Sequence, residues 1–152
     1  MLRLSDSVYG SDSVAAVGVA AHECGHAIQH QRGYVPLRVR GAFVPVANFG
    51  SSIAWPLIII GLMMRGQIII EIGIICFSLA VIFQLITLPV EFNASGRAMR
   101  ILRETGILNS QELPMTGRVL RAAAMTYVAS AASAILQLLR LIILYGGRRR
   151  NE

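Results

Sequence analysis

The sequence predicts a mainly all-α, membrane-embedded fold with about three transmembrane helices, and three observations support this. The 152-residue chain is 55% hydrophobic and only 14% charged, whereas a soluble domain carries about 25% charged residues. Three apolar stretches, at 42–64, 68–90 and 122–145, each reach the ~20 residues that a helix rising about 1.5 Å per residue needs to cross a bilayer. A chain of this length is also too short to wrap three such helices inside a soluble core. The same composition excludes disorder, because there is ample apolar surface to bury.

Each element has its own justification. Residues Met1 to Gly10 lack the apolar run of a signal peptide and carry Arg3, Asp6 and Ser7 instead. Ser11, Asp12 and Ser13 offer N-cap oxygens and Gly33 a left-handed C-cap, so Val14 to Arg32 reads as a helix of about five turns. Its apolar positions Val14, Val17, Ala21, Cys24 and Ile28 recur at steps of three and four. The first span, Ala42 to Met64, holds Pro45, Asn48 and Pro56 but no charge. Arg65-Gly66-Gln67 reads as a tight hairpin into the second span, Ile68 to Val90. Pro89 marks an expected change of direction, after which Glu91 to Leu102 forms a further helix within a segment spanning 91–121. The last span, Ala122 to Tyr145, is interrupted only by Gln137 and Arg140. Residues 1–152 are read as one domain, with 1–41 preceding the first span.

Charge sets the sidedness. All fourteen basic residues are arginine, the net charge is +6, and they cluster just outside the apolar runs. This pattern suits anionic lipid headgroups and a lipid bilayer, with no nucleic acid partner. The hairpin returns the chain to its starting face. Arg3, Arg32, Arg38, Arg40, Arg97, Arg100, Arg103, Arg118 and Arg121 therefore share one side, against Arg65, Arg148, Arg149 and Arg150 on the other. The expected setting is a multi-pass protein of the cell membrane with the nine-arginine side cytoplasmic. Cys24 and Cys76 form no Cys-x-x-Cys pattern and suggest neither a disulfide framework nor a cysteine metal site.

The chemistry lies on the first long helix, in His22-Glu23-Cys24-Gly25-His26, an H-E-x-x-H motif. Two histidines four residues apart project from one helix face about 6 Å apart along the axis, so both imidazoles can bind one Zn²⁺ ion. Glu23 sits beside the metal outside its coordination, where it can take a proton from activated water and pass it to a leaving amine. Ala20, Ala21, Gly25 and Ala27 leave room for a second element or a substrate. His30 repeats the four-residue step, but it lies eight residues from His22, about 12 Å along a straight helix, too far for one zinc. Gln29 and Arg32 break the longer metzincin motif.

The third ligand is expected to be an acid from elsewhere. Asp6 and Asp12 precede the helix, Glu71 lies near the opposite membrane face, and Glu104 and Glu112 sit in a polar stretch. Glu91 directly follows the second span, which brings it back to the face that holds His22 and His26. Asn93 and Ser95 can hydrogen-bond ligands. Arg97 can orient a carboxylate, steady an oxyanion or contact a headgroup.

These residues resemble the neutral zinc metallopeptidases of bacterial membranes. The matching stretches are Leu2-Arg3-Leu4-Ser5, Val8-Tyr9, Val19 to Gln29, Val44-Pro45-Val46-Ala47-Asn48 and Leu88 to Ser95, with similarity along nearly the whole chain, including Gln111-Glu112-Leu113-Pro114. The resemblance implies a zincin-like, zinc-dependent peptidase with His22 and His26 as ligands, Glu23 as general base and Glu91, in the E-F-x-A-S segment, as third ligand. Membrane gluzincins often place an aspartate four residues after that glutamate, where this chain has Ser95. Family members begin with a further membrane helix and a small soluble segment, and the resemblance implies that this chain starts near the end of that segment.

The leading expectation is thus hydrolysis of peptide bonds at the membrane face, with peptide or membrane-protein substrates. Two alternatives come from other classes. One is a catalytically silent zinc-binding scaffold. The other is a transporter or channel subunit, suggested by Glu71, Gln84, Gln137 and Arg140 within apolar runs.

Overall fold

The computed structural model describes residues 3–146; Leu2 and the arginines 148–150 of the charge argument lie outside them. Five α-helices account for the secondary structure of these residues: α1 (Asp6–Tyr9), α2 (Val14–Gln31), α3 (Val35–Met63), α4 (Gln67–Thr105) and α5 (Glu112–Tyr145). No strand occurs among the described residues, so the all-α expectation holds. Helices α3, α4 and α5 are each long and apolar enough to cross a membrane.

The caps follow from the sequence. Ser13 is the N-cap of α2, and its hydroxyl accepts from the Ala16 amide at 3.2 Å, satisfying one orphan donor of the first turn. At the other end Gly33 takes φ 61°, its amide donates to the His30 carbonyl at 3.2 Å, and Tyr34 donates to Gln29 at 2.9 Å. That pair of bonds is a Schellman motif, which releases the chain directly into α3. The tight link after α3 uses the same device with a bulkier residue. Arg65 holds φ 54°, and the Gly66 amide reaches the Gly61 carbonyl at 2.8 Å. Helix α5 starts on a reciprocal cap: Asn109 Oδ1 accepts from the Glu112 amide at 2.9 Å while Glu112 Oε2 accepts from the Asn109 amide at 3.0 Å.

One expectation changes: the helix expected from Glu91 is not a separate one, because α4 runs from Gln67 to Thr105 and carries Pro89 within it. One missing amide costs a long helix a single hydrogen bond, and a helix already propagated on both sides retains the rest. The buried face of α2 is built mainly from small residues. Gly18, Ala21, Gly25 and Gln29 are buried, while Cys24 and Ile28 are only half-buried.

The described residues pack as two compact units. In the unit formed by Met1–Arg38 and Thr87–Val128, Ala21, Ala98, Leu102 and Leu120 make the core, with Val17, Met99, Leu108 and Leu113 against it. Small residues on α2 set how closely its neighbours approach. A Cβ added at Gly18 would lie 2.9 Å from Thr116 Cγ2 on α5, and one at Gly25 would collide with the backbone of Ala94 on α4. Helix α2 therefore rests directly on the α4 main chain. In the unit formed by Val39–Ile86 and Ala129–Glu152, α3 and α4 approach through glycines in the same way. A Cβ at Gly50 would sit 2.8 Å from the Cys76 carbonyl oxygen, and one at Gly73 3.0 Å from that of Ala54. Small residues that let backbones approach are how helices associate where lipid supplies no hydrophobic drive. The outer faces of this unit show large apolar side chains, with Phe49 67% and Ile143 77% exposed, as lipid-facing positions would be. Glu71, within the second apolar run, accepts from Gln67 Nε2 at 3.3 Å, and the same amide donates to the Tyr145 carbonyl at 2.7 Å. A local hydrogen-bond cluster accounts for its place there.

Candidate metal centre

The two histidines of α2 lie one turn apart with their rings edge to face, centroids 4.7 Å apart. Because Gly25 has no side chain, the Glu91 turn of α4 comes up against them. Glu91 is buried, only 3% exposed. Its Oε2 lies 3.2 Å from His22 Nε2 and 3.6 Å from His26 Nε2. One ligand atom from each of the three residues falls within 4.8 Å of the others.

The outer nitrogens determine what the inner ones present. His26 Nδ1 lies 2.9 Å from Gln29 Oε1, and Gln29 Nε2 donates to the Val90 carbonyl at 2.8 Å and to Asn93 Oδ1 at 3.1 Å. A carbonyl can only accept, so the Gln29 amide is fixed with its NH₂ towards Val90 and its oxygen towards His26. His26 Nδ1–H must then donate, which leaves the Nε2 lone pair of a neutral ring aimed at Glu91. On the other histidine, Ser95 Oγ lies 3.1 Å from His22 Nδ1 and can accept in the same sense. Three acceptors, two imidazole nitrogens and a carboxylate oxygen, thus converge on one point. Only a proton or a cation can sit among them.

Zinc fits this donor set. Ligands at about 2.0–2.1 Å in a tetrahedron lie about 3.3–3.4 Å from one another; the two separations to Glu91, 3.2 and 3.6 Å, bracket that value, and all three ligand atoms lie within 4.8 Å. Histidine Nδ1–H groups held by fixed acceptors are also how metal-ligating imidazoles are oriented. Without a cation the cluster favours protons. The Glu91 hydrogen bond raises the His26 pKa, burial opposes it, and Gln29 and the nearby Glu23 carboxylate add to the rise.

The other predicted residues fall as follows. Glu23 is half-buried on α2 between the two histidines, close enough to bear electrostatically on His26. Ser95 stands where the expected aspartate would stand, and its hydroxyl reaches His22. Asn93 supports Gln29. Arg97 joins the same network: its Nε donates to Asn93 Oδ1 at 2.7 Å, and its guanidinium lies 5.9 Å above the Tyr34 ring. It therefore braces Asn93, which in turn supports Gln29. His30 is exposed and outside the cluster, and Asp6, Asp12 and Glu104 are exposed as well. Glu112 is engaged in the α5 cap. Gln29 is the functional residue that sequence reasoning missed, since it registered there only as a departure from the metzincin pattern. Its place three residues after His26, on the same helix face, was the available signal.

With this geometry in hand, comparison with known proteins is informative. A relative from Bacillus subtilis (strain 168), named "Putative membrane protease YugP", is 48% identical over 153 residues, covering 99% of this chain and 68% of that protein. No solved structure matches the chain. The family model described as "Putative neutral zinc metallopeptidase" matches residues 1–146, and with the two histidines of the H-E-x-x-H helix clustered with Glu91 of α4, the chain belongs to that zinc metallopeptidase family.

Proposed function

We propose that the chain is a zinc-dependent endopeptidase that cleaves peptide or membrane-protein segments at the membrane face, with one zinc ion held by His22, His26 and Glu91. The observation that carries this reading is the convergence of the two H-E-x-x-H histidines with Glu91 of α4, with the orientation of His26 dictated by Gln29. When bound, the ion supplies Lewis acidity, bringing the pKa of water towards ~7 and drawing charge from a peptide carbonyl. Glu23 is the general base: its carboxylate takes the proton of the attacking water and hands it to the departing amine. Gln29 and Ser95 hold the imidazoles in the tautomer that keeps Nε2 open.

The same reading assigns a compartment. With α3 and α4 read as a pair of spans, the nine arginines on the side of the metal centre support a cytoplasmic location in a multi-pass protein of the cell membrane.

Glu23→Gln tests the chemistry, because an amide can hold water but cannot take its proton. The variant should keep its zinc and lose about 10²-fold or more of casein or membrane-protein cleavage. Retained cleavage would refute the general-base role. A zinc-loaded wild-type protein that cleaves nothing would favour the scaffold reading instead.

A further inference from the structure

A groove of about 440 Å³ opens between the C-terminal part of α4 and the N-terminal part of α5, sharing Ser95 with the surroundings of the metal centre. Its α4 wall is a single helical stripe, Ser95, Gly96, Met99 and Arg103, spaced by one, three and four residues. Ser95 belongs to both places, since its hydroxyl also reaches His22 Nδ1. The α5 wall presents Gly117, Arg118 and Arg121. The two helices run antiparallel here, with Gly117 against Met99, so Arg121 stands towards the Ser95 end and Arg103 at the far end. All three arginines are exposed, and no acidic side chain lines the groove.

From these features we infer that the groove is the substrate-binding cleft and that it selects an extended peptide segment carrying acidic side chains. The inference rests on the peptidase reading and deepens it. Ser95 to Arg103 is eight residues of helix, about 12 Å, which an extended peptide at ~3.3 Å per residue covers in three to four residues. Acidic side chains within about four residues of the scissile bond would then meet Arg121, Arg118 and Arg103 in turn, while Met99 and the neighbouring apolar wall cover the backbone between them. A patch for lipid headgroups would need the arginines alone. A groove containing glycine and continuous with a residue that touches the metal-centre histidine is shaped for a chain.

Gly96 supplies a clean probe. A Cβ there meets nothing within 4 Å, so a larger side chain fills the groove without disturbing the core, and the helix loses nothing by replacing glycine. The experiment uses the full chain in nanodiscs of phosphatidylcholine, zinc-loaded and carrying Glu23→Gln so that bound peptide is not consumed. Fluorescence anisotropy then measures binding of a ten-residue peptide with two aspartates and of its twin with asparagines. The aspartate peptide should bind about tenfold tighter, as two exposed ion pairs allow, and the preference should fade with added salt. Arg118→Glu with Arg121→Glu should abolish or invert the preference. Gly96→Leu should weaken both peptides about tenfold or more while thermal stability and zinc content stay unchanged. Equal binding of the two peptides, or a preference that survives the double reversal, would overturn the inference. So would a double reversal that changes only association with phosphatidylglycerol vesicles, which would assign the arginines to headgroups. Failure of the peptidase reading has a different signature: the aspartate preference persists, but wild-type protein cleaves neither peptide.

Discussion

Gln29 is fully buried and uses both ends of its amide, its oxygen accepting a hydrogen bond from His26 on its own helix and its NH₂ donating across the α2–α4 interface to Val90 and Asn93. A buried amide is costly unless every group is satisfied, and here it is matched by groups that only tertiary contact supplies. For that reason its role was only half legible in the sequence: the three-residue step from His26 puts it on the same helix face, but the Val90 carbonyl lies 61 positions away. The convergence of His22, His26 and Glu91 was legible, because helical periodicity fixes the first two and the return of the hairpin brings back the third. Gln29→Leu keeps much of the volume but removes the acceptor for His26, and such outer partners are worth about 10- to 100-fold in metal affinity. A zinc-competition titration with a chelating indicator should show that loss in Gln29→Leu. His30→Ala, whose parent side chain is exposed and outside the cluster, should match the wild type.

Helix α2 carries the site because its inward face is nearly bare. Gly25 seats on the Ala94 main chain, and the resulting close approach is what brings Glu91 to the imidazoles. Gly25→Ala places a Cβ against backbone that cannot swing aside, so α2 must lift from α4. A cost of about 1–3 kcal/mol is expected, typical of overpacking, together with a clear loss of zinc affinity. Unfolding in mixed micelles and the same zinc titration should move together; unchanged values in both would show that the α2–α4 contact does not position the ligands. At this scale the sequence was informative where a motif is local. The serine cap and Gly33 of α2 behave as their residue types dictate. It misled after Pro89, where a separate helix was expected from Glu91 and α4 instead continues through the proline to Thr105. The Asn109–Glu112 cap was readable in principle, as a polar residue followed three positions later by glutamate, but the acid was weighed there only as a ligand.

Across the whole molecule, the composition that announced a membrane protein reappears as three helices long and apolar enough to cross a bilayer, which share their length between two compact units. The proposed orientation puts the link between α3 and α4 outside and the loop between α4 and α5 inside. In a Cys24→Ser, Cys76→Ser background, Gly66→Cys should react with a membrane-impermeant thiol reagent in intact cells and Asn109→Cys should not. The reverse pattern would move the centre to the outer face without changing its chemistry. The central claim is that one zinc ion is held by two histidines and Glu91, and metal analysis of the purified full chain tests it most directly. Wild type and Glu23→Gln should each carry about one zinc per chain, while His26→Ala and Glu91→Ala should fall well below that under the same dialysis. Full zinc occupancy in His26→Ala or Glu91→Ala would contradict the account.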